Sequence, residues 1–468
     1  MSELATYEER STQQKALQIN LDSSRYGTFA EIGAGQEVVR WFFKVGGAAG
    51  TIAKSMSAYD MQVSDAIYGK CERYVHRSRL EAMLDYEHKL NIERLSRERG
   101  DQTSFFAFAD TVAARNFKGT NECHGWMGVK FQSHPRDDDS QIILHVRMLD
   151  NENSLQQEAL GIVGVNLLYG AFCLHHRPES LLKSLLDGLS TDRIEIDMIE
   201  FSGIEFRHVD NRIMSLRLVQ LGLTGAAMFS ADGAVLQPSS VLRKKAILVA
   251  RGSFRPVTRV NIDMIDSAMR QFQAEPEVEG EPIVELVEIT MRNLLKGGEI
   301  DLRDFLARAE LLSSIGKIVM ISDYFEYYRL GAYLARYTSK PVGVIMGVAS
   351  LRELFDEKYY TSLAGGLLEA FGRLFKNDLR LYAYPCRGLS GTLNTVENLQ
   401  LGAGLDDLFS YLKHHRLIRQ LDDYDPELLC IDSGLVLEKI RKGDESWRES
   451  VPETIADIIA SKHLFGCN

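Results

Sequence analysis

From residue 150 onward the chain alternates short apolar runs with amphipathic stretches, and this alternation constrains the fold more than any other feature. Arg193–Phe201, Ala226–Phe229 and Ala246–Val249 read as strands, with helices expected over 154–174, 178–189 and 210–221. The rhythm resumes with Lys317–Ser322, Val342–Met346 and Leu379–Tyr384, and helices are expected over 301–314, 323–337 and 363–375. A strand that re-enters a sheet after a helical crossover runs parallel to its neighbour, because an antiparallel pair needs only a short turn. The fold class that follows is α/β, with mostly parallel or mixed sheets, flanking helices and a helical C-terminal tail.

Upstream the pattern differs. Ser104–Ala109, Trp126–Phe131 and Gln141–Leu149 are strand-like runs, with the polar turn Pro135–Asp139 between the last two, which predicts an antiparallel or mixed sheet. Ahead of them Tyr26–Gly35 reads as a strand and glycine turn feeding a helix. A charged helix is expected over 78–99, with Ser78 as N-cap and Glu81 completing a capping box. The acidic, proline-containing stretch 273–282 reads as a linker or exposed loop. Helices are expected in the tail over 405–417, 435–441 and 452–462, the last with Pro452 in its first turn. The expected divisions are an α/β region with the glycine turn and mixed sheet over 1–150, α/β domains over 151–272 and 283–403, and a helical extension over 404–468.

Composition excludes several classes. With 468 residues and a net charge of -11, the chain lacks the basic balance of a general nucleic-acid binder. Its N-terminus carries no apolar signal core. Its longest apolar stretch, Ala159–Leu174, is too short to span a bilayer, contains Asn166, and reads as a buried helix. Six well-separated cysteines without a CxxC pair predict reduced thiols and a cytoplasmic protein. No membrane partner is expected.

Two segments suit anion contact. In Glu31-Ile-Gly33-Ala-Gly35, glycines would let backbone approach a phosphate or ribose at a helix start. In Arg251-Gly-Ser-Phe-Arg255-Pro-Val-Thr-Arg259, three guanidinium forks follow a strand. Asp323 and Glu200 are polar groups at strand ends, where open α/β sheets place ligands, and Asp323 also suits a helix N-cap. Asp197 and Glu200 could share an ion only across a bulge, since their odd spacing puts them on opposite faces. Asp210 suits an N-cap, and the Cys123-His124 pair stands without a second ligand cluster, so no metal is expected.

The first segment resembles the opening motif of S-adenosylmethionine-dependent methyltransferases, in which an acidic residue precedes Gly-x-Gly; Glu37 or Val38 stands at the third glycine position here. Ser433-Gly434, Ile440–Gly443, Trp447–Pro452, Ile455 and Ile458-Ile459 are similar to the end of nicotinamide/nicotinate mononucleotide adenylyltransferases. That resemblance implies an ATP-phosphate clamp of the form Ser-x-Thr-x-x-Arg at a helix start. Leu435 and Glu438 occupy its threonine and arginine positions, and the family's His-x-Gly-His motif is absent. Tyr26–Glu37, Cys123–Met127, Arg251–Val257 and Leu464–Gly466 resemble an uncharacterised bacterial family whose members carry such adenylyltransferase names. Three readings stay open. One is an α/β enzyme binding a nucleotide or phosphate-bearing metabolite, with group or nucleotidyl transfer as its chemistry. The others are a non-catalytic homo-oligomeric assembly or regulatory protein, with the helices at Arg40–Phe43 and Tyr324–Leu330 at its interfaces, and a methyltransferase. The cofactor is left unassigned.

Overall fold

In the computed structural model, which describes residues 7–33, 35–295, 298–388, 391–402 and 404–467, the strands form two principal sheets, one in each of two units, Met1–Gly225 and Ala226–Asn468. The structure is mixed α/β, with helices flanking both sheets.

Unit 1 contains β1 (Arg25–Gly33), β2 (Ile52–Met56), β3 (Ser104–Ala113), β4 (His124–Phe131), β5 (Ser140–Met148) and β6 (Ile194–Gly203), in the order β2-β1-β3-β4-β5-β6. β1 runs parallel to β2 and β3, and β3 to β6 form an antiparallel meander. Phe29, Phe108, Val129 and Ile142 build the core with Leu160 and Val163 of the helix Asn153–Cys173. That helix is apolar on every side because the sheet and the helices Thr12–Asn20, Val38–Val45 and Pro178–Ser184 enclose it. Its Asn166 is satisfied internally, accepting from Lys15 Nζ at 2.8 Å and donating to the carbonyls of Leu185 and Asp187. No described helix is long and apolar enough to cross a membrane, and the six cysteines are free thiols.

Unit 2 contains β7 (Ala226–Phe229), β8 (Val235–Leu236), β9 (Ala246–Arg251), β10 (Ile283–Thr290), β11 (Ile318–Ser322), β12 (Val342–Gly347), β13 (Leu379–Tyr384), a small hairpin of β14 (Cys386–Arg387) and β15 (Leu393–Asn394), and β16 (Ile418–Gln420). The large sheet has the order β16-β13-β12-β9-β10-β11-β7-β8. The run from β16 to β11 is parallel, and β7 and β8 add an antiparallel edge. Counted from β9 as first strand, the six parallel strands stand in the order 3-2-1-4-5-6, that of doubly wound nucleotide-binding sheets. Val249, Val344 and Leu381 pack with Leu330, Leu351 and Phe371 from the helices Tyr327–Leu334, Val348–Leu354 and Gly366–Leu374.

Several local expectations are corrected. β10 escapes the apolar-run criterion because Glu285 and Glu288 interrupt it, although Glu288 is fully buried against Arg251. The segment 273–282 is not a linker. It turns the helix Arg259–Gln273 into β10 within unit 2, and its Glu275 is buried, accepting from Arg380 and Tyr382. The expected cut at residue 150 falls between β5 and β6, which pair along most of their length, so both lie in one sheet. The tail contributes β16 to the large sheet beside β13. Helix Arg77–Arg99 is capped by His76, whose Nδ1 accepts from the Ser78 N–H at 3.2 Å, and not by Ser78. The helix after β11 begins at Tyr327 with Glu326 at its N-cap, so Asp323 caps nothing. Pro452 precedes the helix Glu453–Ser461 at its N-cap, and Asp210 does cap its helix, accepting from the Arg212 N–H.

Candidate functional site

At the carboxyl end of β9 the chain enters the loop Arg251–Thr258, and Thr258 forms a capping box with Asn261 at the start of the helix Arg259–Gln273. The Arg251 side chain is enclosed. Its Nε and one terminal nitrogen form a fork on the Glu288 carboxylate at 2.7 and 3.0 Å, and its terminal nitrogens also donate to the carbonyls of Tyr324 and Phe325, each at 2.7 Å. Its guanidinium lies 4.2 Å from the Tyr327 ring centroid. Ser322 at the end of β11 donates to the same Glu288 carboxylate. A buried carboxylate persists only when paired and hydrogen-bonded, and the Arg251–Glu288 pair meets both conditions.

Arg251, backed by the fully buried Glu288, forms the floor of a cleft of about 410 Å³ along the carboxyl edge of the sheet. Gly252 and Ser253 follow β9, Thr290 ends β10 with Arg292 and Asn293 after it, and Phe325 and Glu326 follow β11. Ser350 and Glu353 come from the helix after β12, and Tyr359 and Tyr360 close the far side. Arg292 is exposed, and its guanidinium sits 4.0 Å from the Phe325 ring centroid. Phe325 in turn packs edge-on to Tyr359 with centroids 5.3 Å apart. The loop carbonyls are tied down from below: Asn293 Nδ2 donates to the Gly252 carbonyl, and the buried Arg308 donates to those of Ser253 and Asn293. Phe254 takes a left-handed backbone at φ 46° with its ring buried, a conformation that the packing of the loop must hold.

The three arginines do not converge on this cleft. Arg251 lines its floor, Arg255 pairs with Asp304, which Arg308 shares, and Arg259 donates to the Val451 carbonyl. Asp323 is exposed in the loop after β11 and is not part of the lining. Sequence reasoning missed Arg292, Phe325 and Tyr359, which lie on separate segments with no common spacing. The one available signal was their position just beyond strand ends.

The glycine turn lies in unit 1 and has the opposite character. Glu31 is 2% exposed, and its carboxylate accepts from the Val38 N–H at 3.0 Å, so the helix start that would greet a phosphate is already occupied. Directly opposite in the parallel register stands Asp110, 0% exposed. Burial pushes the Glu31 carboxyl up to about 8, against the pull of the Val38 and Val39 N–H groups and aided by Glu37. Burial, and then Glu31, raises Asp110 well above the usual carboxylate range. Gly33 has φ 79°, a conformation suited to glycine. A Cβ on Gly35 would lie 1.9 Å from Asp110 Oδ1, so only glycine lets the turn lie on that carboxyl. Ala34 lies outside the described residues.

Other candidates resolve into local pairings. Glu200 forms a fork with Arg77, whereas Asp197, at a register shift in β6, receives His145 Nδ1 at 2.6 Å; the two carboxylates go to different partners. His145 Nε2 lies 3.0 Å from Nδ1 of His124, the neighbour of Cys123. His134, Asp137 and Glu205 lie close enough to suggest a cation, but Ser133 Oγ already bonds both carboxylates and the His134 ring bonds Asp137. At the C-terminal segment, Asp432 caps the helix Ser433–Lys442 by accepting from the Leu435 N–H, and Glu438 pairs with Lys442. A carboxylate thus takes the helix start where the adenylyltransferase resemblance implies phosphates.

No family model matches the chain, and no curated protein matches it. Among solved structures it is similar to Plasmodium falciparum nicotinic acid mononucleotide adenylyltransferase complexed with APC, at 15% identity over 48% of this chain and 98% of that one, with a TM-score of 0.31. It is similar to the competence/damage inducible protein CihA from Agrobacterium tumefaciens at 14% identity, 35% and 97% coverage and a TM-score of 0.25. It is also similar to a competence-damaged protein (CinA) superfamily protein from Escherichia coli at 15% identity, 40% and 94% coverage and a TM-score of 0.24. Likenesses this distant carry no statement about chemistry.

Proposed function

We propose that unit 2 binds a nucleotide or another phosphate-bearing metabolite in the cleft at the carboxyl edge of its parallel sheet. The observation that carries this reading is the coincidence of a 3-2-1-4-5-6 strand order with a cleft built from the loops after β9, β10 and β11 and the helix after β12. In such sheets the strand order reverses between the first and fourth strands, and ligands occupy the crevice beyond their carboxyl ends. A flat ring would stack against Phe325 and Tyr359, and the exposed Arg292 fork and the hydroxyl of Ser253 would meet anionic oxygen. Arg251 acts here as a positioning residue that fixes the floor, since its donors are already committed to Glu288 and two carbonyls. Nucleotidyl or other group transfer is the finer form of this reading. It would set Arg292 against the transferred phosphate and use Glu326 and Glu353 as the acidic side chains of the cleft.

Thermal denaturation of the full chain with millimolar nucleotides and phosphorylated metabolites tests the reading. A ligand at about a hundred times its Kd stabilises the folded state by about 2.7 kcal/mol, which moves the midpoint readily. No shift with any member of the panel would remove the proposal.

A further inference from the structure

Unit 1 carries a cluster of ligand-type side chains for which the proposed ligand site has no use. It joins the turn between β4 and β5 to the short helical turn Ile204–Phe206 after β6. His134, Asp137 and Glu205 each bring one ligand atom within 4.8 Å of the others. Ser133, which is 7% exposed, sits between the two carboxylates, its Oγ 2.8 Å from Asp137 and 2.6 Å from Glu205. A hydroxyl has one hydrogen, so Ser133 donates to one carboxylate at a time and presents a lone pair to the other. A similar contact lies at the second oxygen of Glu205. His175 Nδ1 donates to the Ala171 carbonyl at 3.0 Å, so Nε2 of the neutral ring turns a lone pair towards Glu205, 3.9 Å away. No lysine or arginine pairs with Asp137 or Glu205 among the described residues; their ion partners are His134 and His175. With both histidines neutral, the two carboxylates therefore lack a countercharge and share one hydroxyl hydrogen. Their positions are nonetheless fixed from behind. The His134 N–H donates to the Asp137 carboxylate, and the Glu205 N–H donates to Ser140 Oγ, each at 3.0 Å.

We propose that His134, Asp137 and Glu205 bind a first-row divalent cation of the Zn²⁺ type. The cation supplies the missing positive charge between the carboxylates and leaves Ser133 to donate to an oxygen that the cation does not take. His134 Nδ1 lies 3.0 Å from Asp137 Oδ2, and the ring, 78% exposed, has room to turn. On binding, the ring proton moves from Nδ1 to Nε2, and Nδ1 takes the cation in place of its hydrogen bond to Asp137. One imidazole and two carboxylates suit such a cation better than Mg²⁺, which prefers oxygen ligands and keeps its water. Three protein ligands leave a further position for water. The bound cation ties the turn after β4 to the segment that follows β6.

Titration of the metal-free full chain with Co²⁺, followed by visible absorption, tests this, because Co²⁺ enters Zn²⁺ sites and reports its ligands. Cobalt held by imidazole and carboxylates gives d–d bands without the sulfur-to-metal band that any of the six free thiols would add. One Co²⁺ per chain with that spectrum, displaced by Zn²⁺ and not by an equal concentration of Mg²⁺, supports the site. Asp137→Asn with Glu205→Gln preserves the side-chain shapes and should abolish the bands. The same bands in that variant, a thiolate spectrum, displacement by Mg²⁺, or no bands at millimolar Co²⁺ would overturn it. If the double variant does not fold, His134→Ala removes an exposed ligand instead. Zn²⁺ should raise the melting midpoint of the wild type, and this rise should be lost in His134→Ala. An equal rise in both chains would overturn the proposal.

Discussion

The glycine turn of unit 1 and the arginine loop of unit 2 share one local plan, a strand, a glycine-bearing turn and a helix, yet opposite arrangements of charge lie beneath them. Under the turn are two carboxyls, Glu31 and Asp110, with no cation paired to either among the described residues. Under the loop is a carboxylate, Glu288, fully answered by Arg251 and by the Ser322 hydroxyl. The first arrangement disfavours anions, and burial holds both carboxyls above their ordinary range. The second presents a neutralised floor on which Arg292 remains available as surplus positive charge. Glycine after a strand thus reports that backbone approaches something closely, and the buried groups decide what that something is.

The largest expected effect breaks the neutralised floor. Arg251→Met leaves Glu288 buried and unpaired, and should cost about 3–5 kcal/mol in urea unfolding. Arg251→Met with Glu288→Met should recover most of it, because an apolar pair needs no charge compensation. Equal losses in the single and double variants would show that the pair is not what the floor rests on.

The next effect compares the two glycines directly. Gly35→Ala sets a Cβ 1.9 Å from Asp110 Oδ1, an overlap expected to cost about 1–3 kcal/mol. Gly252→Ala meets the Phe254 ring at 3.0 Å, which a small ring shift relieves, so its cost should be lower. Adding Asp110→Ala to Gly35→Ala should restore part of the lost stability, a coupling that denaturation of all three variants measures.

A smaller effect concerns pH. The Glu31 carboxyl titrates higher folded than its ordinary 4.5, so the folded state holds its proton more tightly than the unfolded chain does. Its stabilising contribution is complete below the ordinary value and is lost as pH rises through about 8. Unfolding midpoints of the wild type should fall across that window, and Glu31→Gln should flatten the decline.

Much of the unit 2 sheet was legible because Ala246–Val249, Lys317–Ser322, Val342–Met346 and Leu379–Tyr384 are largely buried and therefore mainly apolar, with Lys317, Ser322 and Arg380 the polar exceptions. β10 was not, because Glu288 breaks the run and becomes a core residue only through Arg251, 37 positions away. The same non-locality hid the site. The arginine loop was visible in the sequence, but its guanidinium groups are consumed by Glu288, Asp304 and the Val451 carbonyl. The available Arg292 looked like any charged residue after a strand until the fold set Phe325 beside it. Asp110, just past the run Ser104–Ala109, carried no mark of its pairing with Glu31.

The most direct test of where ligand binds is titration calorimetry of the full chain with whichever nucleotide or phosphorylated metabolite stabilises it most. Arg292→Ala should weaken binding by about tenfold while leaving unfolding stability within about 0.5 kcal/mol, as for an exposed side chain at the mouth of a cleft. Glu31→Gln should leave the affinity unchanged. Binding untouched by Arg292→Ala and abolished by Glu31→Gln would contradict the account and move the site to the glycine turn.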